Sequence, residues 1–130
     1  MQTIDYDALM QANLRRVFGE RDATFRTIAI ADLYAADAVL YEPDASVSGH
    51  SAINRAVEAL MSTLPAHFVF AAKGPAIGHH GFARLHWRCG PPGRPAAVTG
   101  TDVARIEGGL IHALYVFLDP PASEPSSSPS

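Results

Sequence analysis

The segment DLYAADAVLYEP, from Asp32 to Pro43, decides the fold because a helical pattern ends and a strand begins within it. Ala38 to Glu42 are predicted to form a short strand, which Pro43 ends because proline has no N–H to donate. The helix before it is predicted to begin after Asp22, a suitable N-cap, and to end at residues 34–37. Its inward residues are predicted to be Phe25, Ile28, Ala29 and Leu33.

Two more helical patterns flank this segment. Apolar residues recur three and four apart from Tyr6 to Phe18, which predicts a first helix from Asp5 to Gly19. After a loop over residues 44–50, Ser51 is a suitable N-cap for a third helix that Pro65 stops. Its predicted inward residues are Ile53, Val57, Leu60, Met61 and Leu64.

The second half of the chain has the pattern of β-strands separated by Gly- and Pro-rich turns. Helices followed by strands indicate an α+β fold. One domain is expected over residues 1–120, and the Ser/Pro-rich residues 121–130 are predicted to be a disordered tail. The predicted strands are His67–Ala72, Gly81–Cys89, Ala96–Ile106 and Leu110–Leu118.

Composition excludes several classes of function. The formal net charge is −3 and the ten Lys and Arg residues are scattered, so no nucleic-acid partner is expected. No apolar run approaches the roughly 18 residues of a membrane span, and no secretory leader is evident, so we expect a soluble cytoplasmic protein without a membrane partner. The single cysteine, Cys89, cannot form an internal disulfide.

Glu42 and Asp102 are carboxylates within strand segments that are otherwise largely apolar. A charge among inward-facing apolar residues is costly unless it is paired, hydrogen-bonded or protonated, so the two predict a polar spot inside a pocket. Asp102 has a structural alternative, a pairing with Arg84, Arg105 or a backbone amide. Glu42, at the end of its strand, could equally be a solvated rim residue.

Two blocks of the sequence resemble the nuclear transport factor 2-like superfamily. The first is Asp32–Pro43 with Gly49–Ile53, and the second is residues 100–119, which is similar to the last hairpin of ketosteroid isomerases and SnoaL-like polyketide cyclases. This resemblance implies a cone-shaped α+β barrel in which three N-terminal helices pack on a strongly curved antiparallel sheet. It also implies an apolar pocket for a small hydrophobic molecule and a homodimer formed through the outer sheet face.

The resemblance to ketosteroid isomerase suggests catalytic roles for both carboxyls. Glu42 stands where that family keeps its general base, and Asp102 where it keeps a protonated Asp that donates to an enolate. Phe18 is the aromatic nearest to the family's oxyanion-donating Tyr and has no hydroxyl, which disfavours steroid isomerisation. Asn13 is a candidate amide donor, whereas alternation turns the phenol of Tyr115 away from the pocket. The residues expected to bind substrate are Asn13, Leu14, Phe18, Leu40, Leu85, Trp87, Leu114 and Val116.

Neither a metal nor an organic cofactor is expected. His79 and His80 are adjacent at a turn, where both cannot easily face one ion, and no other histidine spacing is typical of a metal site. Alternation puts Ala83, Leu85, Trp87 and Cys89 on the concave face. It puts Arg84, His86 and Arg88 on the outer face, where His86 is predicted to be interfacial.

Three functions remain open at this point. The first is proton transfer on a small hydrophobic carbonyl compound, of the isomerase, cyclase or dehydratase type, with Glu42 as base and Asp102 as acid or oxyanion donor. The second is a non-catalytic ligand-binding or dimerisation module on the same scaffold. The third, an epoxide hydrolase, needs an Asp-Arg-Asp set, for which Arg84 lies on the wrong face.

Overall fold

The computed structural model describes residues 3–121. The predicted tail therefore lies, apart from Pro121, outside the described residues. The three predicted helices are present, and the first continues from its α-helical part into one π-helical turn, Leu14–Phe18. No helix within residues 3–121 is long and apolar enough to cross a membrane. The helices are α1 (Tyr6–Asn13), α2 (Ala23–Leu33) and α3 (His50–Ser62).

Seven strands form one curved sheet in the order β2-β1-β7-β6-β5-β3, with β4 paired to β5. Neighbouring strands are antiparallel except β1 and β7, which are parallel. The predicted α+β class is confirmed, but the sheet is mixed and open, where an antiparallel barrel was expected. The strands are β1 (Tyr34–Glu42), β2 (Ala45–Ser48), β3 (Val69–Ala72), β4 (Ile77–His79), β5 (Phe82–Gly90), β6 (Val98–Glu107) and β7 (Leu110–Leu118).

The sequence pattern missed short strands at the edges. β2 lies in the predicted loop after Pro43, and β4 was not predicted at all. Each has only three or four residues, too few to establish an alternating pattern. β1 also begins earlier than predicted, at Tyr34, and its pairing with β7 shifts register between Tyr34 and Val39. This irregularity leaves Ala36 and Asp37 exposed, so residues 34–37 lack the alternation expected of a strand.

Helix α2 begins as predicted, but its buried face differs from the prediction. Asp22 Oδ1 accepts hydrogen bonds from the backbone N–H of Thr24 at 2.8 Å and of Phe25 at 3.1 Å. Ala29 and Leu33 are buried as predicted, but Phe25 and Ile28 are 62% and 52% exposed. The buried positions are Arg26, Ala29, Ile30 and Leu33.

Arg26 explains why the buried face was assigned wrongly. Its fully buried guanidinium donates to the carbonyl oxygen of Glu20 at 2.8 and 3.0 Å, to Asn54 Oδ1 at 2.8 Å and to Glu58 Oε1 at 2.9 Å. A charged side chain can be buried when its donors are satisfied in this way. When every arginine is assumed to face solvent, the buried face of α2 is predicted on a side of the helix that excludes Arg26.

Helix α3 begins two residues before the predicted start. Gly49, not Ser51, occupies the N-cap position, with a φ of +89°, and the helix begins at His50. The imidazole Nε2 of His50 lies 2.9 Å from the carbonyl oxygen of Tyr34 and 3.0 Å from that of Ala35. The start of α3 therefore holds the irregular start of β1.

The concave face of the sheet and the helices enclose the core. On β5 the predicted alternation is confirmed, with Trp87 and Cys89 buried and Arg84 and His86 exposed. On β6 the inward residues are Gly100, Asp102, Ala104 and Ile106. Gly100 pairs with Trp87, and a Cβ at this position would lie 2.4 Å from the Trp87 ring. Glycine is required here because the indole lies directly over the β6 backbone.

Candidate active site

A cavity of about 160 Å³ lies between the first and third helices and one end of the concave sheet face. Its wall is apolar except for two carboxyl groups, one indole N–H and one thiol. β5, β6 and β7 contribute the inward residues near the ends of the strands, and the π-helical turn and α3 cover them. The lining residues are Leu14, Phe18, Glu42, Pro43, Leu60, Leu64, Phe70, Trp87, Cys89, Val98, Asp102, Val116 and Leu118.

Asp102 is the buried carboxyl of this cavity, with 3% of its surface exposed. Trp87 Nε1 donates a hydrogen bond of 2.9 Å to its Oδ1. Burial raises the pKa of Asp102 to about 7, although the Trp87 hydrogen bond lowers it. Neither Arg84 nor Arg105 forms an ion pair with Asp102 among the described residues. A carboxyl with this pKa is present in both protonation states at neutral pH.

Glu42 is the second carboxyl and lies at the rim. It is partly buried at the end of β1, and burial, followed by the neighbouring Asp44 charge, raises its pKa. Tyr41 pairs with Tyr115 in the parallel β1–β7 register, so Glu42 falls beside Val116, which in turn pairs with Asp102. Glu42, Val116 and Asp102 thus form one row across three strands. The Cα atoms of Glu42 and Asp102 are separated by two strand spacings, or about 10 Å.

Asn13 and Tyr34 form a buried polar pair near this row. The Tyr34 hydroxyl donates to Asn13 Oδ1 at 2.5 Å, and both side chains are almost fully buried. Burial raises the pKa of Tyr34 well above its usual value, and the charge of Asp102 raises it further. Tyr34 therefore remains a donor and orients the amide of Asn13. Asn13 Nδ2 is buried without a hydrogen-bond partner among the described residues.

The structure brings some of the predicted site residues together and separates others. Both carboxyls line the cavity, as do Leu14, Phe18, Trp87 and Val116. Asn13, Leu40, Leu85 and Leu114 are buried but are not on its wall. Alternation identifies the face of the sheet to which a residue belongs. It does not show whether the residue lies at the cavity or deeper in the core. Leu40 and Leu114, for example, pair in the row below Glu42 and Val116.

Some residues near the site were not identified from the sequence. Three residues at the ends of strands line the cavity, namely Cys89, Val98 and Leu118. Extending the alternation to the ends of the strands would have identified them. Burial raises the pKa of the Cys89 thiol, and nearby Arg21 and Arg88 lower it, with burial dominating. Tyr34 was assigned to the end of a helix, so its inward position at the start of β1 was not anticipated.

Tyr115 lies on the outer face, as predicted, where its ring stacks on Tyr41 with centroids 4.5 Å apart. Arg84 is also on the outer face, with Nη1 2.7 Å from His86 Nε2, while His86 Nδ1 lies 2.7 Å from Thr101 Oγ1. The described wall of the cavity therefore contains no arginine. The Asp-Arg-Asp set of an epoxide hydrolase is not assembled around it.

Comparisons with known proteins agree with this architecture. The model of the SnoaL-like domain family matches residues 12–114. A SnoaL-like protein of Agrobacterium tumefaciens, whose name suggests an isomerase, is 26% identical with a TM-score of 0.80. That alignment covers 88% of this chain and 97% of the other.

Two more distant structures share the fold. A Sinorhizobium meliloti protein whose name suggests a polyketide cyclase is 24% identical, with a TM-score of 0.65 over 89% of this chain and 99% of the other. A Catenulispora acidiphila protein with a ketosteroid isomerase-like fold, in complex with trimethylamine, is 16% identical, with a TM-score of 0.66 over 88% and 86%. No curated protein matches significantly. The match to the family model covers most of the chain, which belongs to the SnoaL-like domain family.

Proposed function

We propose that this protein binds a small, largely apolar carbonyl compound in the cavity and transfers a proton on it. Glu42 would act as the general base, and Asp102 as the acid or oxyanion donor. The main support is the row Glu42–Val116–Asp102, because it places two carboxyls in different environments on the wall of one apolar cavity. Pairs of titratable groups with different environments are typical of acid–base sites.

The two roles require opposite protonation states. A base must be ionised to remove a proton next to a carbonyl, whereas an oxyanion donor must be neutral. Asp102 is deeply buried with a pKa of about 7, so its neutral form is accessible, and an anionic ligand oxygen would favour it further. Glu42 lies at the rim, where water can still solvate an ionised carboxylate.

Asn13 is proposed as a second donor. The Tyr34 hydroxyl occupies its Oδ1, which directs Nδ2 elsewhere, and this N–H group has no partner. A buried donor without a partner costs about 1–3 kcal/mol, and because Asn13 is not on the cavity wall, a water that bridges its Nδ2 to a ligand oxygen would stabilise it. Asn13 would then partly replace the hydroxyl that Phe18 lacks.

The volume of the cavity limits the substrate. A cavity of about 160 Å³ is close to the engineered apolar cavity of about 150 Å³ that accommodates benzene. Pockets for drug-sized ligands typically measure about 300–1,000 Å³. A compound with one ring or a short chain therefore fits better than a steroid, in agreement with the missing hydroxyl at Phe18.

Hydrogen–deuterium exchange tests the proposal directly. Wild-type protein should catalyse deuterium incorporation next to the carbonyl of 2-cyclohexenone in D₂O, followed by NMR. Because a general base typically contributes about 10² to 10⁴ in rate, Glu42→Gln should remove most of the exchange. Glu107→Gln, at an exposed hairpin carboxylate, is the matched control and should exchange at the wild-type rate. Exchange at an unchanged rate in Glu42→Gln would exclude Glu42 as the base.

The second candidate is a non-catalytic ligand-binding module that uses the same cavity. The observation that favours it is Phe18, which lines the cavity where a hydroxyl donor would assist catalysis. A fluorescent naphthol separates the two candidates because it binds as an enolate mimic without reacting. Binding that weakens in Asp102→Leu, without exchange of any ketone tested, would favour the binding module. Exchange together with binding would favour the enzyme.

We also propose that the protein forms a homodimer through the outer face of the sheet. Tyr41, Tyr115 and Phe117 are exposed there on neighbouring strands, with Phe117 56% exposed. Exposed aromatic residues that lie together are typical of protein interfaces.

A further inference from the structure

The two oxygen atoms of the Asp102 carboxyl have different surroundings. Oδ1 accepts the 2.9 Å hydrogen bond from Trp87 Nε1, whereas Oδ2 has no hydrogen-bond partner among residues 3–121. Within the same range, Asn13 Nδ2 is the only side-chain nitrogen or oxygen that is both fully buried and without a partner. Oδ2 is therefore not sealed from its surroundings, and the open space beside Asp102 is the apolar cavity.

The indole of Trp87 makes this difference permanent because it can only donate. An indole has one N–H and no acceptor, so Trp87 always offers a proton to Oδ1. In a neutral carboxyl, the carbonyl oxygen is a stronger acceptor than the hydroxyl oxygen. The hydrogen bond therefore favours the form of neutral Asp102 in which Oδ1 is the carbonyl oxygen and Oδ2 carries the proton. That proton then lies on the side of the cavity.

Packing holds the indole in this position. Trp87 is buried, and the Phe70 ring packs edge-on against it with centroids 5.4 Å apart. On β6, Gly100 pairs with Trp87, and its lack of a side chain leaves room for the ring. A side chain whose rotamer is fixed by packing can hold a neighbouring group in one orientation. Trp87 is therefore suited to orient the carboxyl of Asp102.

We propose that Trp87 is a positioning residue, which holds Asp102 so that the proton of its neutral form resides on Oδ2 and faces a ligand oxygen in the cavity. This inference rests on the proposed function, in which Asp102 is the neutral donor. Trp87 acts through Asp102 and not on the reacting atoms, since it determines which oxygen donates and in which direction. A donor that is already oriented does not have to reorganise during the reaction.

Loss of the indole N–H has two consequences. The hydrogen bond from Trp87 lowers the pKa of Asp102 against the effect of burial. Trp87→Phe keeps an aromatic ring and removes the donor, so the midpoint of the Asp102 titration should rise, by about one pH unit for a hydrogen bond to a charged group. The proton of neutral Asp102 should also become free to reside on either oxygen.

NMR of the ligand-free protein tests the positioning role independently of catalysis. Isotope-labelled aspartate carboxyls report the titration, and Asp102→Asn identifies the Asp102 signal by its loss. We expect the midpoint to rise in Trp87→Phe. Phe70→Leu, which changes the packing against Trp87 but keeps the N–H, is the matched control and should titrate near the wild-type pH. An unchanged midpoint in Trp87→Phe would overturn the proposal.

The indole N–H provides a second test that needs no change at Trp87. Because Trp87 is the only tryptophan of the chain, its N–H gives a single indole resonance. This resonance should shift as Asp102 titrates in the wild type, and the shift should be absent in Asp102→Asn. A resonance that does not respond to the Asp102 titration would show that the N–H is not bound to this carboxyl, which also overturns the proposal.

The pH dependence of deuterium exchange into 2-cyclohexenone connects the positioning role to the proposed function. Exchange should decrease as Asp102 loses its proton, and in Trp87→Phe this decrease should move to higher pH with a lower maximal rate. A decrease that stays at the wild-type pH in Trp87→Phe would refute a positioning role in catalysis. Absence of exchange in every protein, with the expected NMR results, would instead reject the proposed function and leave Trp87 as the residue that orients the Asp102 proton.

Discussion

At the scale of single residues, the site depends on how one carboxyl is buried. Asp102 is surrounded by apolar side chains, and its hydrogen bond from Trp87 compensates only part of the cost of ionisation. The Trp87 ring in turn requires that residue 100 have no side chain. Three residues on two strands, Gly100, Trp87 and Asp102, therefore set the protonation of the site together.

The raised pKa of Asp102 predicts how stability depends on pH. Its folded-state pKa of about 7 lies above the usual 3.8, so between these pH values the unfolded chain binds fewer protons than the folded one, and the wild type loses stability as pH rises. Asp102→Asn, which cannot ionise, should become progressively more stable than the wild type from pH 4 to 7. The gain should be on the order of a few kcal/mol.

Thermal unfolding measured across this pH range tests the prediction. Asp37→Asn, the same change at an exposed position of β1, is the control and should follow the wild type more closely. A stability difference between Asp102→Asn and wild type that stays constant from pH 4 to 7 would contradict the raised pKa. It would also remove the basis for a neutral donor.

At the scale of secondary-structure elements, Arg26 joins α2, α3 and the segment before α2. A second arginine on the helices permits a comparison. Arg16 pairs with Asp32 at the same distance, 2.9 Å, but both of these side chains are well exposed. Burial of the guanidinium is the main difference between the two ion pairs.

This difference predicts unequal costs of mutation. Arg26→Met should destabilise the fold by about 1–3 kcal/mol, because the Glu20 carbonyl and the Asn54 side chain lose their donors. Arg16→Met should cost less than about 1 kcal/mol, as exposed ion pairs usually do. Urea denaturation of both variants measures the two costs. Equal losses in the two variants would show that Arg26 contributes no more than a surface ion pair.

Helix α2 shows what the sequence could and could not predict. Asp22 as the cap of α2 was predicted correctly because capping depends on neighbouring residues alone. The buried face of α2 was not, because the burial of Arg26 depends on Asn54 and Glu58, about thirty residues away. The edge strands β2 and β4 were not predicted for a similar reason. These short segments are strands because they hydrogen-bond to a neighbouring strand, and their own residues do not show the pattern.

At the scale of the whole molecule, the α+β class and the two carboxyls of the cavity were predicted from the sequence. Alternation placed Trp87 on the concave face, and Arg84 and Tyr115 on the outer one. Asp102 was assigned to the pocket from its apolar neighbours and from the family resemblance. The boundary between core and cavity was not predictable, because Leu40 and Leu114 have the same pattern as Val116. That boundary depends on how far the helices extend over an open sheet.

The exposed aromatic residues of the outer face predict the state of association. Wild-type protein should sediment as a dimer at micromolar concentration, and Phe117→Glu should shift it towards monomer because it places a charge within the proposed interface. Ile28→Glu, at a similarly exposed apolar residue of α2, is the matched control and should remain dimeric. A wild-type monomer, or equal dissociation in both variants, would rule out this interface.

Trp87, described above as the hydrogen-bond donor to Asp102, has a practical consequence. It is the single tryptophan of the chain, and its ring lines the cavity. The intrinsic fluorescence of the unlabelled protein therefore originates almost entirely at the candidate site. Filling of the cavity and loss of the Asp102 proton both alter the surroundings of the indole, so the protein contains its own optical reporter of each event.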